Sequence, residues 1–406
     1  VIKKFPRIAA LTCAAFLAIA PVTATAATAT PARGALMKAE RVSRMTGSEV
    51  NAFLGKAGFP AIENAKGVDV YRVSYRTVDV NGGPTTATGS LVLPQTSAHE
   101  LRVVSYSHGT MADRREAPSV ASTGEGRYLP VYFATHGFAA AAADYLGLGE
   151  GPGAHPYMHT ATEAGASIDL LKAARRLAGQ QQVTFDKRIM VTGFSQGGHA
   201  AMALGAALQK DRDLDVSAIA PISGPFDIEH AEFPAAVDGR LDGRSAAFYL
   251  AYWLTSMDRV YDVYDEPSEA FRPPYDAKVT DLLDGSHDLG TIAADLPSTV
   301  DELLTPAYLG KLGKLGKPTG RLLKAIRRND TTCRDLRPGA PVRLFAATGD
   351  RDVVLANSES CLKDLRARHV DASLMDVGDV NHLTSLRLSL PKVLAWFQQG
   401  AGTTAG

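Results

Sequence analysis

The chain has 406 residues and balances 43 lysines and arginines against 43 aspartates and glutamates. That neutrality argues against a nucleic-acid partner, which would need a basic surface. The length suits one large α/β domain with an insertion, or two domains, and either buries a full core.

The N-terminus reads as a processing signal. Lys3, Lys4 and Arg7 precede an apolar run, Ile8–Ala20, that is too short to span a bilayer. Ala24-Thr25-Ala26 then offers a small-residue cleavage site, so residues 1–26 are expected to be removed on export, leaving a secreted or periplasmic protein. Cys13 lies inside the apolar run with Ala10 where a lipobox wants leucine, so no stable membrane anchor is expected.

Residues 27–66 read as helical and irregular. Val68–Val80 and Thr85–Leu93 alternate as strands across Asn81-Gly82-Gly83-Pro84, a hairpin signal. Leu101–Ser107 is a short buried-type strand ending in His108-Gly109-Thr110. Arg127–Thr135 reads as a helix and Phe138–Ala143 as a buried strand. Thr160-Ala-Thr-Glu163 has the pattern of a capping box, with Thr160 at the N-cap, and opens a helix expected to stop at Gly179. Further strands fall at Arg188–Gly193, Val216–Ile222, Val342–Ala347 and Ala372–Val377, with a closing helix near Lys392–Gln399. Strand and helix alternate through 101–225 and 340–399, which predicts an α/β fold: a mostly parallel sheet with helices on both faces. Residues 226–335 break the alternation, look helical and are rich in aromatics (Phe248, Tyr249, Tyr252, Trp253, Tyr261, Tyr264, Phe271, Tyr275). They are expected to form a helical cap inserted into a core made of 27–225 and 336–406. The stretch Lys311–Lys317 reads as solvated surface.

Past the leader, Cys333 and Cys361 remain. In an oxidising compartment they are expected to form one disulfide, worth roughly 3 kcal/mol by the chain-entropy model. No C-x-x-C pair suggests zinc. His155 and His159 stand four apart, but Pro156 argues against a helix that would turn both toward a metal.

The most informative stretch is the apolar run Arg188–Gly193 leading through Gly193-Phe-Ser195-Gln-Gly197 into a small-residue helix. G-x-S-x-G between strand and helix is the setting of a nucleophile elbow. The turn projects the Ser195 hydroxyl and leaves the Gln196 amide at a helix N-terminus, where it stabilises an oxyanion. A serine needs a base, and the base needs a carboxylate. In Gly349-Asp350-Arg351-Asp352-Val353-Val354, after a strand, Asp352 is the expected acid, because Val353 and Val354 would anchor its loop; Asp350 is the alternative. His382, between the last strand and the last helix and expected on a loop, is the expected base. A second oxyanion amide is expected from Gly109 or Thr110. His108 is expected to orient that loop.

Together these residues resemble the α/β-hydrolase superfamily and, more narrowly, the secretory lipase family of lipase-A-like esterases. The marks are Tyr106-Ser-His-Gly-Thr110, Asp144-Tyr-Leu-Gly-Leu-Gly149, His155-Pro-Tyr157, Gly193-Phe-Ser-Gln-Gly-Gly198 and Gly349-Asp-Arg-Asp352. The resemblance implies an exported serine carboxylester hydrolase acting on small-molecule or lipid esters, with a helical cap and with no metal or organic cofactor. Two departures, Gln196 after the nucleophile and the His-Gly-Thr oxyanion loop, favour simple esters over long-chain lipids. A serine peptidase of the same fold and a non-catalytic binding protein with a relic site are the competing readings.

Overall fold

A computed structural model describes residues 1–2, 32–312 and 318–400. The expected leader, beyond its first two residues, and most of the Lys311–Lys317 stretch lie outside that range.

Among the described residues nine strands form one sheet: β1 Leu36–Met45, β2 Val68–Val78, β3 Pro84–Pro94, β4 Glu100–Ser107, β5 Ala139–Ala143, β6 Thr184–Phe194, β7 Asp215–Ile222, β8 Val342–Ala346 and β9 Ala372–Asp376. Their order is β1-β2-β3-β5-β4-β6-β7-β8-β9. The first three pairings, down to β3 with β5, are antiparallel, and every pairing from β5 to β9 is parallel. This is the α/β-hydrolase fold.

Successive side chains on a strand face opposite sides, so each central strand feeds two cores. Ile189 and Val191 of β6 pack with one core and Met190 with the other. All five residues of β5 are alanine, split between the same two cores. One face is covered by Thr160–Gln180 and Gln196–Leu208, through Leu170, Leu171, Leu177, Met202 and Leu204. The other is covered by Glu125–Thr135 and His382–Gln398, through Tyr132, Phe133, Leu390 and Phe397.

Between β7 and β8 the chain runs through helices that include Phe233–Asp238, Gly243–Tyr261 and Gly320–Asn329. Their apolar side chains share a third core around Leu250, Tyr252, Trp253, Phe271 and Tyr308. The Cys333–Cys361 disulfide, with its Cα atoms 5.4 Å apart, ties the end of this segment to the helix Ala356–Ala367.

Four expectations need correction. Residues 36–45 are a strand, not helix; among the described residues β1 pairs only with β2, and an edge strand with mostly solvated faces shows no burial pattern in its sequence. Thr160 is the first helical residue rather than the cap, and its hydroxyl donates to the Asn329 carbonyl at 3.0 Å. Glu163 does not reach back to a cap because buried partners claim it, as described below. The closing helix begins at His382, ten residues before Lys392, with Pro391 inside it and Asn381 capping it by accepting from the Thr384 amide at 2.9 Å.

Candidate active site

The sharp turn after β6 puts Ser195 at φ 58°, ψ −123°, a left-handed conformation that costs a non-glycine residue of order 1–3 kcal/mol. Glycines on either side make the turn possible. A Cβ on Gly193 would stand 2.1 Å from the Gly197 carbonyl oxygen, and one on Gly197 would stand 2.0 Å from the Ser107 oxygen. The Ser195 amide donates to the Ile222 carbonyl at 2.9 Å, which fixes the turn to β7. Ser195 heads the helix Gln196–Leu208, and its carbonyl accepts from the Gly198 amide at 2.8 Å, which leaves the Gln196 amide ahead of the first helical hydrogen bond.

His382 is 8% exposed and its Nδ1 lies 2.7 Å from Asp350 Oδ2. The other Asp350 oxygen accepts from the amides of Asp352 and Val353 at 2.9 and 3.0 Å. One oxygen is therefore locked by the backbone while the other holds the imidazole. With the proton on Nδ1, Nε2 is bare, and it has no hydrogen-bond partner among the described residues. The His382 ring packs 4.4 Å from the Phe194 ring, beside the serine. Ser195 and His382 are not hydrogen bonded to each other in this arrangement.

The expected acid is thus displaced by two residues: Asp350, not Asp352, meets the histidine. The cause is the turn. A Cβ on Gly349 would stand 2.3 Å from Asp379 Oδ1, so only glycine lets the 349–353 turn close on the loop before His382. Asp350 then points inward, 5% exposed, whereas Asp352 faces the helical segment, with the Tyr249 hydroxyl 3.5 Å away. His382 also departs from the expected loop: it is the first residue of a capped helix.

The oxyanion candidates divide. The Gly109 amide is already spent on Glu125 Oε1 at 2.9 Å, and the same carboxylate accepts from the Tyr106 hydroxyl. Gly109 is thereby removed as a donor, and Thr110 is the neighbouring amide that remains with Gln196. The Thr110 hydroxyl meets the Tyr157 hydroxyl at 2.9 Å. His108, fully buried, sets Nδ1 2.7 Å from the Gly109 carbonyl and Nε2 3.3 Å from that of Asp144; burial lowers its pKa.

A buried polar network, invisible in the sequence, grips Gln196. Its Nε2 donates to Glu163 Oε1 at 2.8 Å and to His155 Nε2 at 3.0 Å. His155 Nδ1 is turned to the Leu146 carbonyl at 2.9 Å, so its Nε2 is the bare nitrogen. Burial drives the His155 pKa down to about 4, which keeps that nitrogen an acceptor. The second Glu163 oxygen lies 2.9 Å from His199 Nδ1. Burial pulls the His199 pKa down, but the charge and hydrogen bond of Glu163 outweigh it and hold the pKa above the usual value. His159 instead meets the Tyr261 hydroxyl at 2.8 Å, so the two histidines of the 155–159 pair serve different partners.

Ser195 opens onto a narrow cavity of about 40 Å³ walled by Tyr157, Phe233, Tyr249, Leu250, Trp253 and Val353, among others, with Glu232 and Asp352 at its polar side. Of the eight aromatics noted in the inserted segment, only Tyr249 and Trp253 line it. Burial, then the charges of Asp350 and Asp352, raise the Glu232 pKa to about 8. Among the described residues, Asp227, His230 and Asp330 bring three possible ligand atoms within 4.8 Å of one another. Their oxygens are already engaged by Ser360, His230 and the Ile228 amide.

No family model matches the sequence, and no curated protein matches it. Solved structures do. A candidate hydrolase from Legionella pneumophila is 26% identical, with a TM-score of 0.82 over 91% of this chain and 99% of that one. The cell-wall-degrading esterase LipA of Xanthomonas oryzae is 25% identical, with a TM-score of 0.81 over 91% and 98%. Lipase A of Candida antarctica shares the fold at 15% identity, with a TM-score of 0.68 over 92% and 84%. The fold and the likenesses to the hydrolase and the esterase put the chain among α/β-hydrolases of the esterase kind. Esterases are carboxylic ester hydrolases, and that is the class of this enzyme. No helix among the described residues is long and apolar enough to cross a membrane.

Proposed function

We propose that the chain is an exported serine carboxylester hydrolase with Ser195 as nucleophile, His382 as base and Asp350 as its orienting acid. The observation that carries this reading is the His382 imidazole, pinned through Nδ1 to Asp350 with Nε2 bare beside the strained serine turn. In this reading Nε2 takes the Ser195 proton as the hydroxyl attacks the ester carbonyl. Asp350 holds the tautomer and stabilises the imidazolium. The Gln196 and Thr110 amides take up the oxyanion. The alcohol leaves with the proton from Nε2, and water then cleaves the acyl-enzyme by the same route.

Residues 226–335 serve as the cap in this account, and the cavity they close over Ser195 receives the acyl group. At roughly 10–15 Å³ per water-sized site, its 40 Å³ holds about three such sites, so short acyl chains are the expected substrates. Ser195→Ala should abolish hydrolysis of a nitrophenyl ester and leave the circular dichroism spectrum unchanged. Hydrolysis that persists in the variant would overturn the assignment.

A further inference from the structure

The loop that carries Thr110 is gripped on both sides of Gly109, and one of the gripping side chains has no part in the mechanism above. Each peptide unit is planar and trans, so its C=O and N–H point opposite ways and fixing one aims the other. In the unit between Gly109 and Thr110 the carbonyl can only accept, so His108 Nδ1 donates to it at 2.7 Å, and the Thr110 N–H is turned the opposite way. In the unit before it the Gly109 N–H donates to Glu125 Oε1 at 2.9 Å, and the His108 carbonyl accepts from the Tyr145 hydroxyl at 3.3 Å. Glycine has the widest choice of φ and ψ, so without these bonds the loop would swivel at Gly109. That residue also lies against the nucleophile turn: a Cβ on it would stand 3.0 Å from Glu125 Oε2 and 3.3 Å from the Phe194 carbonyl oxygen.

Glu125 is anchored at both ends. It is the first residue of the helix Glu125–Thr135, which packs Leu129, Tyr132 and Phe133 into the core. Its Oε1 accepts a second bond, from the hydroxyl of Tyr106, itself 1% exposed. Burial raises the Glu125 pKa, against the hydrogen bonds of Tyr106 and Gly109 and the charge of His382. The carboxylate therefore has two routes to the reaction, its reach to Gly109 and its charge near His382. Geometry favours reach, because the Gly109 bond is direct and no hydrogen bond joins Glu125 to His382 among the described residues.

We propose that Glu125 is the positioning residue of the oxyanion loop, holding the Gly109 amide so that the Thr110 amide faces the oxyanion; this rests on the reading of Ser195 as nucleophile and Thr110 as donor. The test measures kcat/KM for a nitrophenyl ester, per site titrated with a fluorophosphonate, and Ki for a short alkyl trifluoromethyl ketone. Ser195 Oγ adds to that ketone's carbonyl carbon, His382 Nε2 takes the hydroxyl proton, and the resulting hemiketal oxyanion occupies the same hole as the reaction's. Glu125→Ala should lower kcat/KM by about 10²-fold and raise Ki by a similar factor. Glu125→Gln, which keeps an oxygen acceptor of the same reach, should restore all but about fivefold of both. Glu125→Asp keeps the charge but stops one methylene short, so it should lose as the alanine variant does, and it decides the matter should that variant fold poorly. A loss under about fivefold in both the Ala and Asp variants, or a fall in kcat/KM with Ki unmoved, would overturn the proposal. A glutamine variant as impaired as alanine would overturn it too, because charge near His382 would then be the cause. Any of these, with Ser195 labelled in the unsubstituted enzyme, sinks this inference alone. An unsubstituted protein that neither hydrolyses the ester nor takes the label on Ser195 sinks the hydrolase reading and this inference with it.

Discussion

The sheet rim and the inserted helices treat charge in opposite ways. At the rim two carboxylates use both oxygens: Asp350 divides between two amides and His382, and Glu163 between Gln196 and His199. On the inserted side Glu232 accepts from the Asn357 side-chain amide and the Val354 backbone, faces a cavity and stands near the carboxylates of Asp350 and Asp352. A carboxylate tied to a histidine or an amide on each oxygen fixes geometry, whereas one buried and crowded by like charges on a cavity wall is held as a neutral acid. The rim is thus suited to positioning polar groups and the insertion to walling the cavity.

The sharpest way to break this division is at the acid. Asp350→Asn should lower kcat by about 10⁴-fold, through the wrong imidazole tautomer, while Asp352→Asn should lose less than about tenfold. Ester kinetics on the two variants separate them, and equal losses would erase the distinction between rim and wall.

The difficulty of telling these two aspartates apart by sequence is instructive. Strand, glycine, acid and histidine follow one another in an order that local spacing makes readable, so the fold, the Ser195 turn and His382 were legible. Asp350 and Asp352 share one turn, and what separates them is the approach of Asp379 to Gly349, a contact between segments that no local pattern records. Glu163 carried a misleading signal, since its spacing from Thr160 matches a capping box while its true partners lie on another helix. The strand β1, with Lys38, Glu40, Arg41 and Arg44, resists reading because it pairs on one side only. The last helix starts ten residues before the expected Lys392, runs through Pro391 and opens at Asn381, whose side chain accepts from the Thr384 backbone amide.

The Glu163 network should fail as a unit. Glu163→Ala leaves His199 and the Gln196 amide buried without their acceptor, and breaking a buried pair of this kind costs about 3–5 kcal/mol. Urea denaturation checks it, and a loss under 1 kcal/mol would mean the network is dispensable. The disulfide should contribute somewhat less. Cys333→Ser with Cys361→Ser opens a loop with a sequence separation of 28, worth about 3 kcal/mol on the chain-entropy model. The double variant should melt at lower temperature, and an unchanged melting point would remove the tie from the account.

The last effect is read against pH at the cavity wall. Glu232 has a folded pKa of about 8, above its value of about 4.5 in an unfolded chain. The unfolded state therefore releases this proton first as pH rises, and folding stability falls between about pH 4.5 and 8. Glu232→Gln removes that loss, so the melting-point gap in favour of the variant should widen from pH 5 to pH 8 and then level off. Parallel melting curves across that range would mean the carboxyl is not held neutral.

The proposed joint action of Ser195, His382 and Asp350 is tested most directly by a fluorophosphonate probe followed by peptide mapping. The label should sit on Ser195, vanish in His382→Ala and form far more slowly in Asp350→Asn than in Asp352→Asn. A label on another residue, or labelling of Ser195 that His382→Ala leaves unchanged, would contradict the account.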